Sequence, residues 1–234
     1  MSSLRTLIFY ATPEHSCSYL PEQKATTMFV DPKAEVDLRL YSQLSRLGFR
    51  RSGNHYYRPH CEDCRACIPV RLPAHLFSPS RSQRRTLERN GDLSVQLVDA
   101  YFSEEHYQIY ERYINQRHQD GDMFPPSRDQ YRSFLIDGSE YTRFAEFRLG
   151  ERLIAVAVID LLDDGLSAIY TFYDPDYSDR GLGTYAILWQ IEEVRRRGDA
   201  YLYLGYWIKQ CHKMAYKTKF RPIEMMTNDR WVRI

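Results

Sequence analysis

The chain has 234 residues, 43% hydrophobic and 27% charged, with a formal net charge of +1. This is a globular composition, long enough for one large or two small domains with a real core. No run of 18 apolar residues and no signal-peptide pattern is present, so we expect a cytoplasmic protein with no membrane contact. Five cysteines, an odd number in a reducing compartment, argue against structural disulfides.

A net charge near zero argues against a nucleic-acid partner, but the charge is unevenly spread. Residues 1–95 carry 14 Lys and Arg against 9 Asp and Glu, whereas residues 96–234 carry 18 against 22. A local basic footprint matters more than the total. Tyr is in excess, 19 residues against 11 Phe and 3 Trp, which suits surfaces half packed and half wet.

In chain order, the first 95 residues are turn-rich, with Pro13, Pro21, Pro32, Pro59, Pro69, Pro73 and Pro79 expected to break any long element. A helix is expected over 34–47, with Val36, Leu40, Leu44 and Leu47 on one face and Gly48 at its end. A second runs from Ser80 to Asn90-Gly91, with a cap signal at each end. Residues 93–99 alternate as a strand. Ser103 and Ser127 cap two helices that carry Tyr107, Tyr110, Tyr113 and Ile114, then Tyr131, Phe134 and Leu135. Strands over 142–149, 152–161 and 166–174 are joined by turns at Gly150 and Asp163-Asp164-Gly165. A helix follows from about Ser178 to Gly198, then a strand over 200–207, a helix over 211–220 and a last strand near 223–228.

From Leu93 this order is β-α-α-β-β-β-α-β-α-β, which resembles that of the GNAT acyltransferase fold. The expected class is therefore α/β (α+β): a GNAT-like acyltransferase domain with a mixed sheet over 93–234. A smaller, basic, cysteine-containing N-terminal domain precedes it over 1–92.

Three constellations could carry chemistry. In "DRGLGTYAILWQI", Arg180, Gly181 and Gly183 fit the turn that holds the coenzyme A pyrophosphate in GNAT proteins. Tyr185, however, stands at its last small position. We expect an acyl donor other than coenzyme A; a glycine-rich helix start with no ligand is the plain alternative. The run "SRSQRRTLERN" places Arg81, Arg84, Arg85 and Arg89 on a helix with only Glu88 to pair them, a footprint for phosphates or a merely solvated face. Lys209, Lys213 and Lys217, at i, i+4 and i+8, give a second basic stripe, with Tyr206, Trp207 and Tyr216 placed to stack a base. In "YRPHCEDCRACIPVR", Cys61, Cys64 and Cys67 recur every third residue. They read as a zinc or iron–sulfur site, as reduced thiols in a turn, or as a redox switch. There is no second CxxC, and a fourth ligand would come from Cys17, His60 or His15.

The segments "HSCSYLP", "ATTMFVDP", "GFRRSGNHYYRPHCEDCRACIPVR" and "SPSRSQRR" resemble the N-terminal region of the arginyl-tRNA–protein transferase family. "GDMFPPSRDQY", "AVAVIDLLDDGLSAIYTFYDP" and "YLGYWIKQCHKMAYKTKFRPIE" resemble its C-terminal region. The similarity spans about residues 8–231 and is closest to a short bacterial branch. It implies that leucine passes from leucyl-tRNA to the α-amine of a protein beginning with Asp or Glu, creating an N-terminus read by the N-end-rule degradation machinery. No coenzyme A and no nucleotide triphosphate would be needed, since the ester supplies the free energy. By analogy with the family, Cys17, Cys61, Cys64 and Cys67 are the candidate metal ligands.

For that reaction the candidates near the catalytic step are Tyr170, Thr171, Tyr173, Asp174 and Tyr206. Arg81, Arg84, Arg85, Arg89, Arg180, Gly181, Gly183, Lys209, Lys213 and Lys217 are expected to bind tRNA. Arg50, Arg51, His55 and Arg71 are expected to read the acceptor's carboxylate. The rivals are an arginyl donor, a coenzyme A-dependent acetyltransferase and a metal-ribbon RNA-binding module.

Overall fold

The structure, a computed structural model, describes residues 4–138 and 140–234. Its strands in the N-terminal part are β1 (Phe9–Ala11), β2 (His15–Ser16), β3 (Lys24–Ala25), β4 (Thr27–Val30), β5 (Arg50–Ser52), β6 (His55–Pro59) and β7 (Ile68–Pro73). Later strands are β8 (Leu93–Asp99), β9 (Thr142–Leu149), β10 (Arg152–Leu161), β11 (Gly165–Tyr173), β12 (Tyr201–Trp207), β13 (Glu224–Thr227) and β14 (Arg230–Arg233). The helices are α1 (Leu38–Arg46), α2 (Arg81–Arg89), α3 (Glu104–Arg117), α4 (Arg128–Leu135) and α5 (Leu182–Arg196).

Eight strands form one mixed sheet in the order β14-β13-β7-β12-β11-β10-β9-β8, and four more form a second sheet in the order β1-β4-β6-β5. The antiparallel run β8 to β11 follows the expected segments closely. Gly150, at φ +59, takes the left-handed turn between β9 and β10 that few side chains tolerate. The large sheet is buried on both faces. Val156 and Val158 of β10 pack with Tyr107, Tyr110, Ile114 and Leu135 of α3 and α4. Ala155 and Ala157, one residue out of phase, pack with Leu182 and Ala186 of α5, as the two-residue period of a strand requires. Helix α5 is also the crossover that makes β11 and β12 parallel.

Several expectations are corrected. The helix expected from Ser178 starts later, at Leu182, because Gly181 (φ +68) separates it from the 3₁₀ segment Pro175–Arg180. The helix expected over 211–220 is a 3₁₀ segment, His212–Lys219. There the Lys217 amine and the Phe220 ring are drawn into the interior, and this tertiary demand overrides local helix propensity. The hairpin partner β14 was not foreseen; Asn228 and Asp229, at φ 50 and 56, form its turn. β7 contains Pro69 and Pro73, expected to break structure, yet it pairs with β12 and β13 inside the large sheet. That sheet therefore draws strands from both sides of residue 92. Leu47, expected on the buried face of α1, is exposed, while Leu40 and Leu44 are buried.

The two sheets are pinned together by one buried ion pair. Arg51 on β5 donates to both oxygens of Asp160 on β10, at 2.6 and 2.7 Å. Tyr41 and Thr142 donate to the same carboxylate at 2.6 and 2.7 Å. Among the described residues no helix is long and apolar enough to cross a membrane.

Candidate active-site cleft

β11 and β12 pair only through Gly165–Ser167 against Tyr201–Tyr203. Beyond that the strands part, and peptide groups that a continued ladder would join are left for other partners. The gap opens into a cleft of about 530 Å³. Ala168 to Thr171 and Tyr173 line one wall, and Leu204 to Tyr206 the other. Gly183 and Thr184 of α5, Tyr113 of α3, and Lys213, Met214, Tyr216 and Lys217 of the 3₁₀ segment complete it, with Arg50, Tyr19 and Tyr57 from the N-terminal part. No Asp or Glu lines it among the described residues, so its field is positive.

Two cations sit where the strands divide. Arg50 donates to Ser167 Oγ at 2.7 Å and to the Ala168 carbonyl. Its guanidinium lies close to Gly205, where a Cβ would stand only 3.0 Å from Arg50 Nε; Gly205 itself has φ +77. On the opposite lip the buried Lys217 donates to the Tyr206 carbonyl at 2.5 Å. Pro69, paired with Tyr206 across the sheet, has no N–H to offer it. Burial, then Arg50, lowers the Lys217 ammonium to about 7, and Cys211 opposes the shift.

The aromatic wall is dense. Tyr113 and Tyr173 meet edge-on at 4.8 Å between ring centres, and Tyr170 packs against Tyr113 and Phe134. The Tyr170 hydroxyl is buried with no partner, and burial pushes its phenol well up. Tyr173 accepts from Arg117 at 3.0 Å.

The cleft gathers some expected residues and not others. Tyr170, Thr171, Tyr173, Tyr206, Gly183, Lys213, Lys217 and Arg50 line it. Tyr206 is almost wholly buried and donates to the Gly48 carbonyl at 2.8 Å, so its proton is already committed. Asp174 is not a lining residue: its buried carboxylate holds Arg112 and Arg152, each at 2.9 Å, and caps the next 3₁₀ turn. Arg51 is buried on Asp160 and cannot reach a substrate. Arg71 is buried between the Tyr201 and Trp231 rings and paired with Glu224 at 2.8 Å. His55 is exposed on β6, outside the cleft.

The basic stripes fare differently. Arg81, Arg84, Arg85 and Arg89 are all exposed on α2, with Arg84 and Arg89 resting on the Pro79 and Asp179 carbonyls. Arg180 is clamped by Asp92 at 2.7 and 2.8 Å. Gly181 supplies the left-handed turn before α5, and a Cβ at Gly183 would meet nothing within 4 Å. The lysine stripe does not exist, because on a 3₁₀ turn residues four apart do not align. Lys209 is exposed, Lys213 pairs with Asp120 at 2.7 Å, and Lys217 is buried. Tyr185, expected to crowd the start of α5, instead turns into the core against Phe147. The steric reason for excluding a pyrophosphate there does not hold.

The cysteines form a neighbouring wall. Cys61, Cys64 and Cys67 line a second cavity of about 430 Å³ with Arg58, His60 and Arg65. Burial, then Cys17, Cys61, Cys64 and Cys211, pushes the Cys67 thiol up to about 12. Among the described residues no three His, Cys, Asp or Glu side chains come close enough to hold a metal. Sequence reasoning also missed Tyr19, Tyr57, Tyr113, His118 and Met214 as cleft residues; the abundance of Tyr was their only signal.

The family model "Arginine-tRNA-protein transferase, C terminus" matches residues 105–227, and "Arginine-tRNA-protein transferase, N terminus" matches residues 15–85. An aspartate/glutamate leucyltransferase from Marinobacter nauticus is 60% identical over 99% of this chain and 98% of its own. One from Hahella chejuensis is 59% identical over the whole of both chains. A solved domain of a putative lysylphosphatidylglycerol synthetase from Agrobacterium fabrum superposes on 77% of this chain and 54% of its own. Its TM-score is 0.47 at 13% identity, a likeness that carries no argument. The chain belongs to the arginine-tRNA–protein transferase family, on its aspartate/glutamate leucyltransferase branch.

Proposed function

We propose that this aminoacyl-tRNA–protein transferase moves leucine from leucyl-tRNA to the α-amine of proteins beginning with Asp or Glu, and that it does so in the cleft between β11 and β12. One observation carries the placement: the parted strands make a Tyr-lined cleft that holds Arg50, Lys213 and Lys217 and, among the described residues, no carboxylate. We read residues 93–234 as a GNAT-like acyltransferase unit, a reading supported by the order β8-α3-α4-β9-β10-β11-α5-β12 and by the split itself.

In the step, the acceptor's amine nitrogen bonds to the leucyl carbonyl carbon and the ester C–O bond breaks. The ribose hydroxyl leaves with one proton, and the amine loses another to water before attack, since an α-ammonium titrates near ~8. Peptide N–H groups along the split stabilise the tetrahedral oxyanion, a contribution of about 3 kcal/mol. The aromatic wall of Tyr113, Tyr170 and Tyr173 stacks the terminal adenosine. The open start of α5, at Gly183, faces its phosphate. Of the four acceptor candidates, Arg50 alone lines the cleft. The cysteines brace the wall beside the cleft and take no part in the step.

Purified protein with leucyl- or arginyl-tRNA and peptides beginning with Asp, Glu, Arg or Ala tests this reading. Leucine should appear on the Asp and Glu peptides alone. Transfer of arginine, or of an acetyl group from acetyl coenzyme A, would overturn it.

The exposed arginines of α2 form the outer tRNA contact. Arg84→Ser with Arg85→Ser should reduce the slope of log affinity for leucyl-tRNA against log salt by about 1 to 2. An unchanged slope would remove α2 from the interface.

A further inference from the structure

We propose that Arg50 and Lys217 together form the site for the side-chain carboxylate of the acceptor's first residue, one cation on each lip of the split. The inference rests on the leucyl-transfer reading and assigns Lys217, expected on a tRNA-binding stripe, to the other substrate.

The geometry points to an anion of small size. Both groups are anchored on carbonyls of the parting strands, Ala168 and Tyr206. Neither makes an ion pair with a carboxylate among the described residues, whereas Lys213, which also lines the cleft, is paired with Asp120. A buried ammonium bonded to a single backbone carbonyl has donors to spare, and leaving it unpaired is costly. A carboxylate bridging Arg50 and Lys217 satisfies both. An Asn or Gln side chain would leave their charge unbalanced, which is how a buried site discriminates strongly. Phosphates of a tRNA end are served by Lys213 and the start of α5 at Gly183, both lining the cleft. The same two charges lower the basicity of the acceptor's α-amine, so carboxylate recognition also favours the uncharged nucleophile.

Binding then carries a proton signature. With the Lys217 ammonium at about 7 before the acceptor arrives, the free site is increasingly neutral above that pH. A carboxylate partner raises the value, so binding at higher pH must take up a proton. The groups facing Lys217 do not mask this. Burial pushes up the phenols of Tyr57, Tyr206 and Tyr216, the last two of them on its own lip. At the mouth, burial and Lys213 hold His118 below its usual value, with Asp120 opposing. Cys211 is the remaining neighbour, and it favours the charged ammonium.

The test uses a succinyl-capped peptide, which carries the side-chain carboxylate of an N-terminal Asp but no amine to titrate, as a competitive inhibitor of the full-length enzyme. Its Ki on the unmutated protein should rise at least about tenfold between roughly pH 6.5 and 8.5. Lys217→Arg should flatten that rise. Lys217→Gln, which can still donate to the Tyr206 carbonyl, should raise KM for Asp-peptides at least about tenfold with a smaller change in kcat. Its leucyl-tRNA affinity should stay within about twofold. A flat Ki in the unmutated protein overturns the inference whether or not the variants fold. So does a Lys217→Gln protein that loses leucyl-tRNA affinity with KM for the peptide unchanged. If the unmutated enzyme transfers no leucine to any peptide, it is the underlying reading of the function that fails.

Discussion

Asp160→Ala should lower the unfolding free energy by about 3–5 kcal/mol, the cost of stranding a charge inside a protein. The carboxylate it removes satisfies Arg51, Tyr41 and Thr142 at once, and the Arg51 side chain has no exposure through which to find water. Burial alone would favour the neutral guanidine, but the attraction and hydrogen bonds of Asp160 outweigh it and raise Arg51 above its ordinary value. Arg51→Met should cost a similar amount by leaving Asp160 charged and unpaired. The double variant Arg51→Met, Asp160→Leu should be more stable than either single one, because no orphaned charge remains. Urea midpoints at a common slope read all three. Single variants within about 1 kcal/mol of the parent would show that the pair does not hold the sheets together.

Gly165→Ala is expected to be at least as disruptive. A Cβ at Gly165 would lie 1.8 Å from the Tyr201 carbonyl oxygen and 2.7 Å from its carbon, and a strand backbone cannot step aside as a side-chain tip can. Adding a methyl group to a packed site costs roughly 1–3 kcal/mol where neighbours can shift. Here relief requires prising β11 from β12 at one of only three paired positions. The consequence reaches the chemistry, because those pairs fix where the strands divide and hence where Arg50 and Lys217 stand. Leucyl transfer should fall at least about tenfold even in the fraction that folds. Gly150→Ala is the control: no atom lies within 4 Å of its Cβ, so it should cost only the roughly 1–2 kcal/mol of a left-handed backbone and leave transfer intact. Equal losses in the two variants would separate activity from the register of the split.

What the sequence disclosed follows the range of the interactions involved. β9 and β10 were legible because alternation, β-branched residues and a turn glycine are local signals, and α2 because Ser80 and Gln83 build a reciprocal cap within three residues. Lys217 was misplaced because its spacing from Lys213 has meaning only on an α-helix. What bends that segment into a 3₁₀ turn is its packing back onto β12, the strand just before it, where Lys217 reaches the Tyr206 carbonyl. Arg51 looked like a free arginine beside Arg50, since its partner lies 109 residues away. The two neighbours on β5 point to opposite faces, one into the core and one into the cleft, and one-dimensional reading cannot tell which. β7 was obscured by its prolines, which sit near the two ends of its pairing with β12.

That strand has a consequence for how the molecule is made. β7 (Ile68–Pro73) leaves the ribosome long before either of its neighbours, β12 and β13, is made. Until they arrive, the nascent chain carries an unmated strand of buried residues, a state open to wrong pairing. The split that houses the cleft can form only once β12 has joined β11. A chain that stops before β12 therefore lacks one wall of the cleft.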